Sequence, residues 1–406
     1  MNRAILAQKQ QWIREDLDRC IRFWLCHGID KRHGGVYTQL DKVGNVYCTD
    51  KNVWMQGRGG WMFSYLCNQY GVKDEWLAFA RNCLDFAENH CVDHSRERRM
   101  YHVVAADGHP LRWRMRFHSE GFYCIANAEH YALTHDPVYL DRALSAFQIY
   151  WGLYQRTMED PFASDPMAQG DNRPGLAGDM RTLDLPMICL NICMILSRCH
   201  PENAAHYDAC ADHCVRDIFR YHRKEDMHCT LENVGPDGEF LDTPFGRQVN
   251  PGHDLELSWF LMEYARKRND QTVLQKALSL LDDAWQAGWD QTHGGITNML
   301  DAKGMPPAAR WYDLKVWWPQ TESLIAPLMA YQATEDEKYL SRFTSAVDYC
   351  ARVFSDPVHG EWYDSLLPDN TPHDHSSNKG NINKGPFHTI RALAMCDLMI
   401  TDMLNA

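Results

Sequence analysis

The chain repeats itself, and the repeat limits the folds open to it. The loop Asp30-Lys-Arg-His33-Gly-Gly-Val-Tyr37 returns as Asp290-Gln-Thr-His293-Gly-Gly-Ile296 and as Asp356-Pro-Val-His359-Gly-Glu-Trp-Tyr363. Weaker echoes stand at Asp93-His94, followed by Met100-Tyr101-His102, and at Asp226-Met227-His228-Cys229. The spacing, about 65 residues, leaves one doubled gap with Met158-Glu159-Asp160-Pro161 in its middle, which makes six units. A second marker keeps the same register: Asp74-Glu-Trp-Leu77, Asp136-Pro-Val-Tyr-Leu140, Asp270-Gln-Thr-Val-Leu274 and Asp336-Glu-Lys-Tyr-Leu340 each follow an apolar segment. A unit of this size cannot bury its own apolar face, so successive units must stack.

Each unit reads as two helices. After Asp336, residues Tyr339, Leu340, Phe343, Ala346, Val347, Cys350, Val353 and Phe354 fall at i, i+3, i+4, i+7 spacing, one apolar stripe on an outer helix. Glu322 to Tyr331 is apolar nearly all round, as on an inner helix buried on most sides, and Pro327 within it predicts a local kink. Stretches such as Val36 to Val46 predict short hairpins between the two. Six outer–inner pairs predict an all-α (α/α)6 barrel, a toroid in which the end repeats cap each other, spanning 1–406 as a single catalytic domain. An open solenoid is the alternative.

Composition narrows the function. With 41 Lys and Arg against 54 Asp and Glu, the net charge is −13, and no basic cluster tracks a phosphate backbone, so nucleic acid is not an expected partner. The N-terminus lacks the apolar run of a signal peptide, and no stretch reaches the ~18 apolar residues of a membrane span. Fifteen cysteines, an odd number lying largely in apolar helical segments, read as reduced thiols of a cytoplasmic protein. The pairs Cys189/Cys193 and Cys210/Cys214 read as core rather than metal ligands. No C-x-x-C, H-E-x-x-H or P-loop sequence occurs, so neither metal nor nucleotide cofactor is expected.

Counting on from each loop Asp lands at the start of each inner helix. These starts are Gln56-Gly57-Arg58, His118-Ser119-Glu120, Leu185-Pro186-Met187, Pro251 to Glu256, Trp317 to Glu322, and Lys384 to His388. In a closed ring these positions meet at one end of the axis and line one cavity. His253 and Glu256 lie i, i+3 on one face. His388 adds a second imidazole, Arg58 a fixed charge, and Trp317 and Trp318 flat apolar surface on which a sugar ring can rest. Inner-helix N-termini favour an anion at the same place. Two imidazoles, a guanidinium and helix N-termini suit proton abstraction next to a carbonyl. Phosphate binding fits less well, because only Arg58 and Lys384 are cationic there. A structural ion pair from Arg58 to Glu120 or Glu322 is the competing role for that arginine.

At these residues the sequence resembles the N-acylglucosamine 2-epimerase family, which includes renin-binding protein. Its specific stretches are Gln248-Val-Asn-Pro-Gly-His253-Asp-Leu-Glu256, Leu314-Lys-Val-Trp-Trp-Pro-Gln-Thr-Glu322 and Gly385-Pro-Phe-His388-Thr-Ile-Arg391. The resemblance implies an (α/α)6 barrel, a homodimer, and interconversion of N-acetylglucosamine and N-acetylmannosamine within amino-sugar and sialic acid metabolism. It implies that His253 and His388 form the acid/base pair, with Arg58 on the intermediate. It further implies that Arg58, Glu256, Trp318 and Glu322 contact sugar; Glu120 and Lys384, at the same rim of the ring, are expected to join them. Some relatives are stimulated by ATP without consuming it. Cellobiose 2-epimerases and aldose–ketose isomerases of this fold usually carry a third histidine where this chain reads Leu185-Pro186-Met187, as in the N-acylglucosamine branch. The Asp364–Asn383 insertion, with His373 and His375, is longer than that branch leads one to expect. Three alternatives stay open: aldose–ketose isomerisation or 2-epimerisation of mannose or a related free sugar, glycoside hydrolysis by Glu256 and Glu322, and a binding protein acting through its surface.

Overall fold

The structure is a computed structural model and describes residues 2–113, 117–158, 180–309, 311–372 and 378–406. Among these residues lie twelve α-helices: α1 Arg3–His27, α2 Val53–Tyr70, α3 Asp74–Phe86, α4 His118–Thr134, α5 Pro137–Tyr154 and α6 Asp184–Cys199 complete the first half. The second half holds α7 Ala204–Asp217, α8 Pro251–Arg268, α9 Gln271–Gly288, α10 Trp317–Thr334, α11 Glu337–Val353 and α12 His388–Asn405. The even-numbered helices pack on one another in chain order, and α12 returns to α2. Each odd helix from α3 to α11 backs the even helix before it, and α1 backs α12. The ring is closed: an (α/α)6 barrel, not a solenoid.

The two apolar patterns sort the helices as expected. On α11 the stripe from Tyr339 to Cys350 is buried and the opposite side faces solvent, whereas α10 is buried on nearly every side. The helix runs on through Pro327, from Trp317 to Thr334. The cysteines are all free, and Cys189, Cys193, Cys210 and Cys214 are buried between α6 and α7.

Both repeat markers have a structural cause. Asp136, Asp270 and Asp336 cap α5, α9 and α11, each accepting from the backbone N–H two residues on. Asp74 instead opens the first turn of α3. In the long loops, Asp30, Asp290 and Asp356 each accept from backbone N–H groups two and three residues on. The other oxygen of each holds a buried lysine: Lys51 at 2.7 Å, Lys315 at 2.9 Å and Lys379 at 2.9 Å. The third-unit marker, Glu159 to Pro161, lies outside the described residues, as do His373 and His375.

The expected hairpins are part of a larger device. A two-residue strand at or one residue short of an inner helix pairs antiparallel with a strand of the following unit: Lys51–Asn52 with Val103–Val104, Arg181–Thr182 with Asn233–Val234, Gln248–Val249 with Leu300–Asp301, and Lys315–Val316 with Ser365–Leu366. The N–H groups of Lys379 and Gly380 donate to the Leu40 carbonyl at 3.1 Å, joining the sixth loop to the first. Buried backbone groups at the helix starts thereby find partners from unit to unit, and one rim of the barrel is stitched together.

Candidate active site

At that rim, all six inner helices contribute residues near their N-termini to one cavity of about 250 Å³. Arg58, His253, Glu256, Trp318 and His388 line it together, with Trp317, Phe122, Met187, Asn191, Asn250 and Asn383 around them. Local sequence sets each group. Asn250 caps α8, accepting from the backbone of Gly252 at 3.0 Å and His253 at 3.3 Å, and Pro251 occupies the first helical position. His253 is thereby held on the first turn. Gly252 is required by proximity: a Cβ there would lie 2.7 Å from the Trp318 ring. Trp318 adjoins both imidazoles, its ring 5.0 Å from that of His253 and 5.9 Å from that of His388. Trp317 is the more buried indole and meets His388 edge-on.

The two histidines share one arrangement in different surroundings. His253 Nδ1 bonds Glu232 at 2.8 Å, and His388 Nδ1 bonds Glu322 at 2.9 Å. Neither Nε2 makes a hydrogen bond among the described residues. Burial pulls His253 down, but the Glu232 carboxylate, followed by Glu256 and Asp184, lifts it to about 9. Burial also pulls His388 down, and here Arg391 and Arg58 add to the effect, leaving it well below the usual imidazole range. One imidazole is charged at neutral pH and the other is not, the separation expected of an acid and a base.

Arg58 forms no ion pair among the described residues, neither with Glu120 nor with Glu322. Its guanidinium lies 4.1 Å from the centre of the Phe122 ring and 4.9 Å from that of Phe387. Burial lowers its pKa to about 9, with Arg391 adding to the shift against Glu256 and Glu322, so it stays charged at neutral pH. Gly57 permits this packing, since a Cβ there would lie 2.7 Å from the Phe122 backbone.

Three expected sugar contacts are placed differently. Glu120 is buried away from the cavity, bonded to Arg99 Nε at 2.8 Å. Lys384 is fully buried, its ammonium held by Glu361 at 2.8 Å and by the carbonyls of Trp362 and Lys379. A rim position was enough to suggest both, but each satisfies a neighbouring buried charge. Glu322 is fully buried beneath the cavity, accepting from His388, Arg391, Thr321 and Trp259. It therefore orients the groups above it. Arg391 joins Glu322 and Glu256 at 2.7 Å each, so these carboxylates share one cation and do not form the free acid–base pair of a glycoside hydrolase.

The expectation that no metal-type cluster exists needs correction. Glu256, Glu322 and His388 offer ligand atoms within 4.8 Å of one another, brought together from three helices that no sequence spacing connects. Arg391 supplies the positive charge there. Glu232 and Arg391 were not singled out by sequence. Glu232 sits between two short strands with no helical register, and Arg391 one turn into α12 reads as an ordinary buried charge.

The closed ring of six helix pairs is an (α/α)6 barrel, and its sugar-epimerase relatives make the chain an enzyme of the isomerase class acting on carbohydrates. The chain belongs to the N-acylglucosamine 2-epimerase family, whose model matches residues 35–390. It is 34% identical to the N-acylglucosamine 2-epimerase of Bos taurus, covering 99% of this chain and 93% of that protein. With the enzyme of the same name from Mus musculus it is 33% identical, covering 99% and 94%. The solved cellobiose 2-epimerase of Bacillus thermoamylovorans shares the fold with a TM-score of 0.82 at 20% identity, over 96% of this chain and 98% of that one.

Proposed function

We propose that this protein interconverts N-acetylglucosamine and N-acetylmannosamine by exchanging the proton on carbon 2 of the open-chain sugar. The observation that carries the reading is the pair of imidazoles on α8 and α12, each anchored through Nδ1 and both lining one cavity beside Trp318. The aldehyde acidifies the adjacent C–H. Neutral His388 takes that proton, the C–H electron pair moves into the C1–C2 bond, and the carbonyl oxygen becomes an enediolate oxygen. Arg58 and the uncapped N-termini of α4, α6, α10 and α12 stabilise that oxygen. Protonated His253 returns a proton to the opposite face, and the aldehyde re-forms. Trp318 supports the sugar and Glu256 contacts its hydroxyls. No redox or metal step is needed for these transfers. A homodimer, a role in sialic acid metabolism and a nucleotide stimulation without consumption complete the reading from the family likeness, and a cytoplasmic location follows from the cysteine pattern. No helix among the described residues is long and apolar enough to cross a membrane.

The test is proton NMR in deuterated water with N-acetylmannosamine, N-acetylglucosamine and mannose supplied separately. The reading expects the two N-acetyl sugars to interconvert with deuterium at carbon 2, and His253→Asn and His388→Asn each to lose net epimerisation by several orders of magnitude. Conversion of mannose to a ketose, with the N-acetyl sugars inert, would move the protein to aldose–ketose isomerisation.

A further inference from the structure

Glu232 belongs to no helix. It lies between the strands Cys229–Thr230 and Asn233–Val234, where its N–H donates to the Gln248 carbonyl and its own carbonyl accepts from Leu183, both at 3.0 Å. Backbone bonds to two other rim segments thus aim its carboxylate at His253 Nδ1. The partner of the second histidine is engaged differently. Glu322 divides its oxygens among His388, Arg391, Thr321 and Trp259, so its charge is already met by a buried guanidinium. Among the described residues no Lys or Arg pairs with Glu232, and His253 alone bonds its side chain.

We propose that Glu232 is a positioning residue that keeps His253 as the standing proton donor, while the pairing of Glu322 with Arg391 keeps His388 as the standing acceptor. This rests on the two-histidine reading above and adds a direction to it. The free enzyme is loaded for the epimer whose carbon-2 hydrogen faces His388. One turnover moves a proton from His253 to carbon 2 and another from carbon 2 to His388. The enzyme is then loaded for the opposite epimer, and solvent must restore the first state. The groups facing His253 are consistent with this. Glu256 lies on its own helix and Asp184, itself bonded to His118, faces it from α6. The neighbouring Asp254 is fully buried and pushed by burial to about 8, so it is largely uncharged at neutral pH. The cations Arg58 and Arg391 bear instead on His388.

The test compares Glu232→Gln, which keeps an acceptor oxygen and removes the charge, with Glu232→Asp, which keeps the charge. For Glu232→Gln, the basic limb of the kcat/KM profile should move from near 9 toward the ordinary imidazole value of about 6.5. At neutral pH kcat should fall on the order of a hundredfold with KM little changed. In deuterated water, one epimer should still exchange its carbon-2 proton through His388 while inversion lags, so its ratio of exchange to inversion rises. Glu232→Asp should keep the limb above about 8. An unmoved limb and an unchanged exchange ratio in folded Glu232→Gln would overturn the proposal and leave Glu232 a structural group. If Glu232→Gln does not fold, a Glu232→Asp limb near 6.5 overturns it equally. His253→Asn is run alongside: if it keeps net epimerisation, the two-histidine reading itself fails, whereas its loss together with an unmoved Glu232→Gln limb refutes only the role of Glu232.

Discussion

Replacing Arg391 by Met tests whether one cation organises the floor of the site. Arg391 is 3% exposed and lies between two carboxylates, Glu322 at 0% and Glu256 at 8%. Its removal leaves those carboxylates facing each other with no counter-charge. Their oxygens lie within 4.8 Å, and at an effective dielectric of about 20 that repulsion amounts to roughly 3.5 kcal/mol. Breaking a buried pair by deleting one member generally costs about 3–5 kcal/mol, of similar size. With unfolding entropy near 2.1 cal/mol/K per residue over 406 residues, such a loss lowers the melting temperature by roughly 4–6 °C. The loss should depend on pH in a definite direction. In the variant the repulsion lasts only while both carboxylates carry charge. The destabilisation is therefore full at pH 8 and relieved as pH falls, when one carboxyl or His388 takes up a proton. Thermal unfolding followed by circular dichroism at pH 8 and pH 5, for wild type, Arg391→Met and Arg391→Met/Glu322→Gln, measures this. The expected result is a melting-point gap of several degrees at pH 8 that shrinks by at least half at pH 5, and a double variant closer to wild type. An equal gap at both values, with no recovery in the double variant, would show that lost packing, not charge, is what Arg391 contributes.

Two further outcomes follow from the same geometry. Arg58→Lys should cost about a hundredfold in kcat although the charge is kept, because a planar guanidinium fits between Phe122 and Phe387 and can hold two oxygens; near-wild-type turnover in the folded variant would remove Arg58 from the chemistry. Prolonged treatment with EDTA should leave the epimerisation rate unchanged, since Arg391 supplies the positive charge among Glu256, Glu322 and His388; loss of activity that added metal restores would show that a metal ion displaces that guanidinium.

The fold was legible because its period was. Asp136, Asp270 and Asp336 recur as caps, and Asp30, Asp290 and Asp356 recur as lysine-holding turns, so the markers are the structural joints themselves. Counting from them reached the rim, and His253, His388, Arg58, Glu256 and Trp318 meet there. What counting could not supply is direction within a turn of helix. Glu120 begins an inner helix as Glu256 does, yet bonds to Arg99 outside the cavity, and only packing between helices distinguishes them. Glu232 was out of reach for another reason. Its position depends on backbone pairing between three rim segments, and two-residue strands carry no periodicity to read.

The seam between α1 and α12 also bears on how the molecule comes into being. Gln10 bonds Asp397 at 2.8 Å and Arg14 bonds the same carboxylate at 2.6 Å, so the first helix is a neighbour of the twelfth, while Trp362, in the loop after α11, reaches Asp16 at 2.7 Å. About 360 residues separate the end of one from the start of the other. At synthesis rates of roughly 5–20 residues per second, α1 waits some ~20–70 s for the helix it packs against, with Gln10 and Arg14 lacking their partner Asp397. The same twelfth helix brings His388 and Arg391. Closing the ring and completing the site are therefore one event, so a growing or partly unravelled chain has neither a finished core nor the means to touch a sugar.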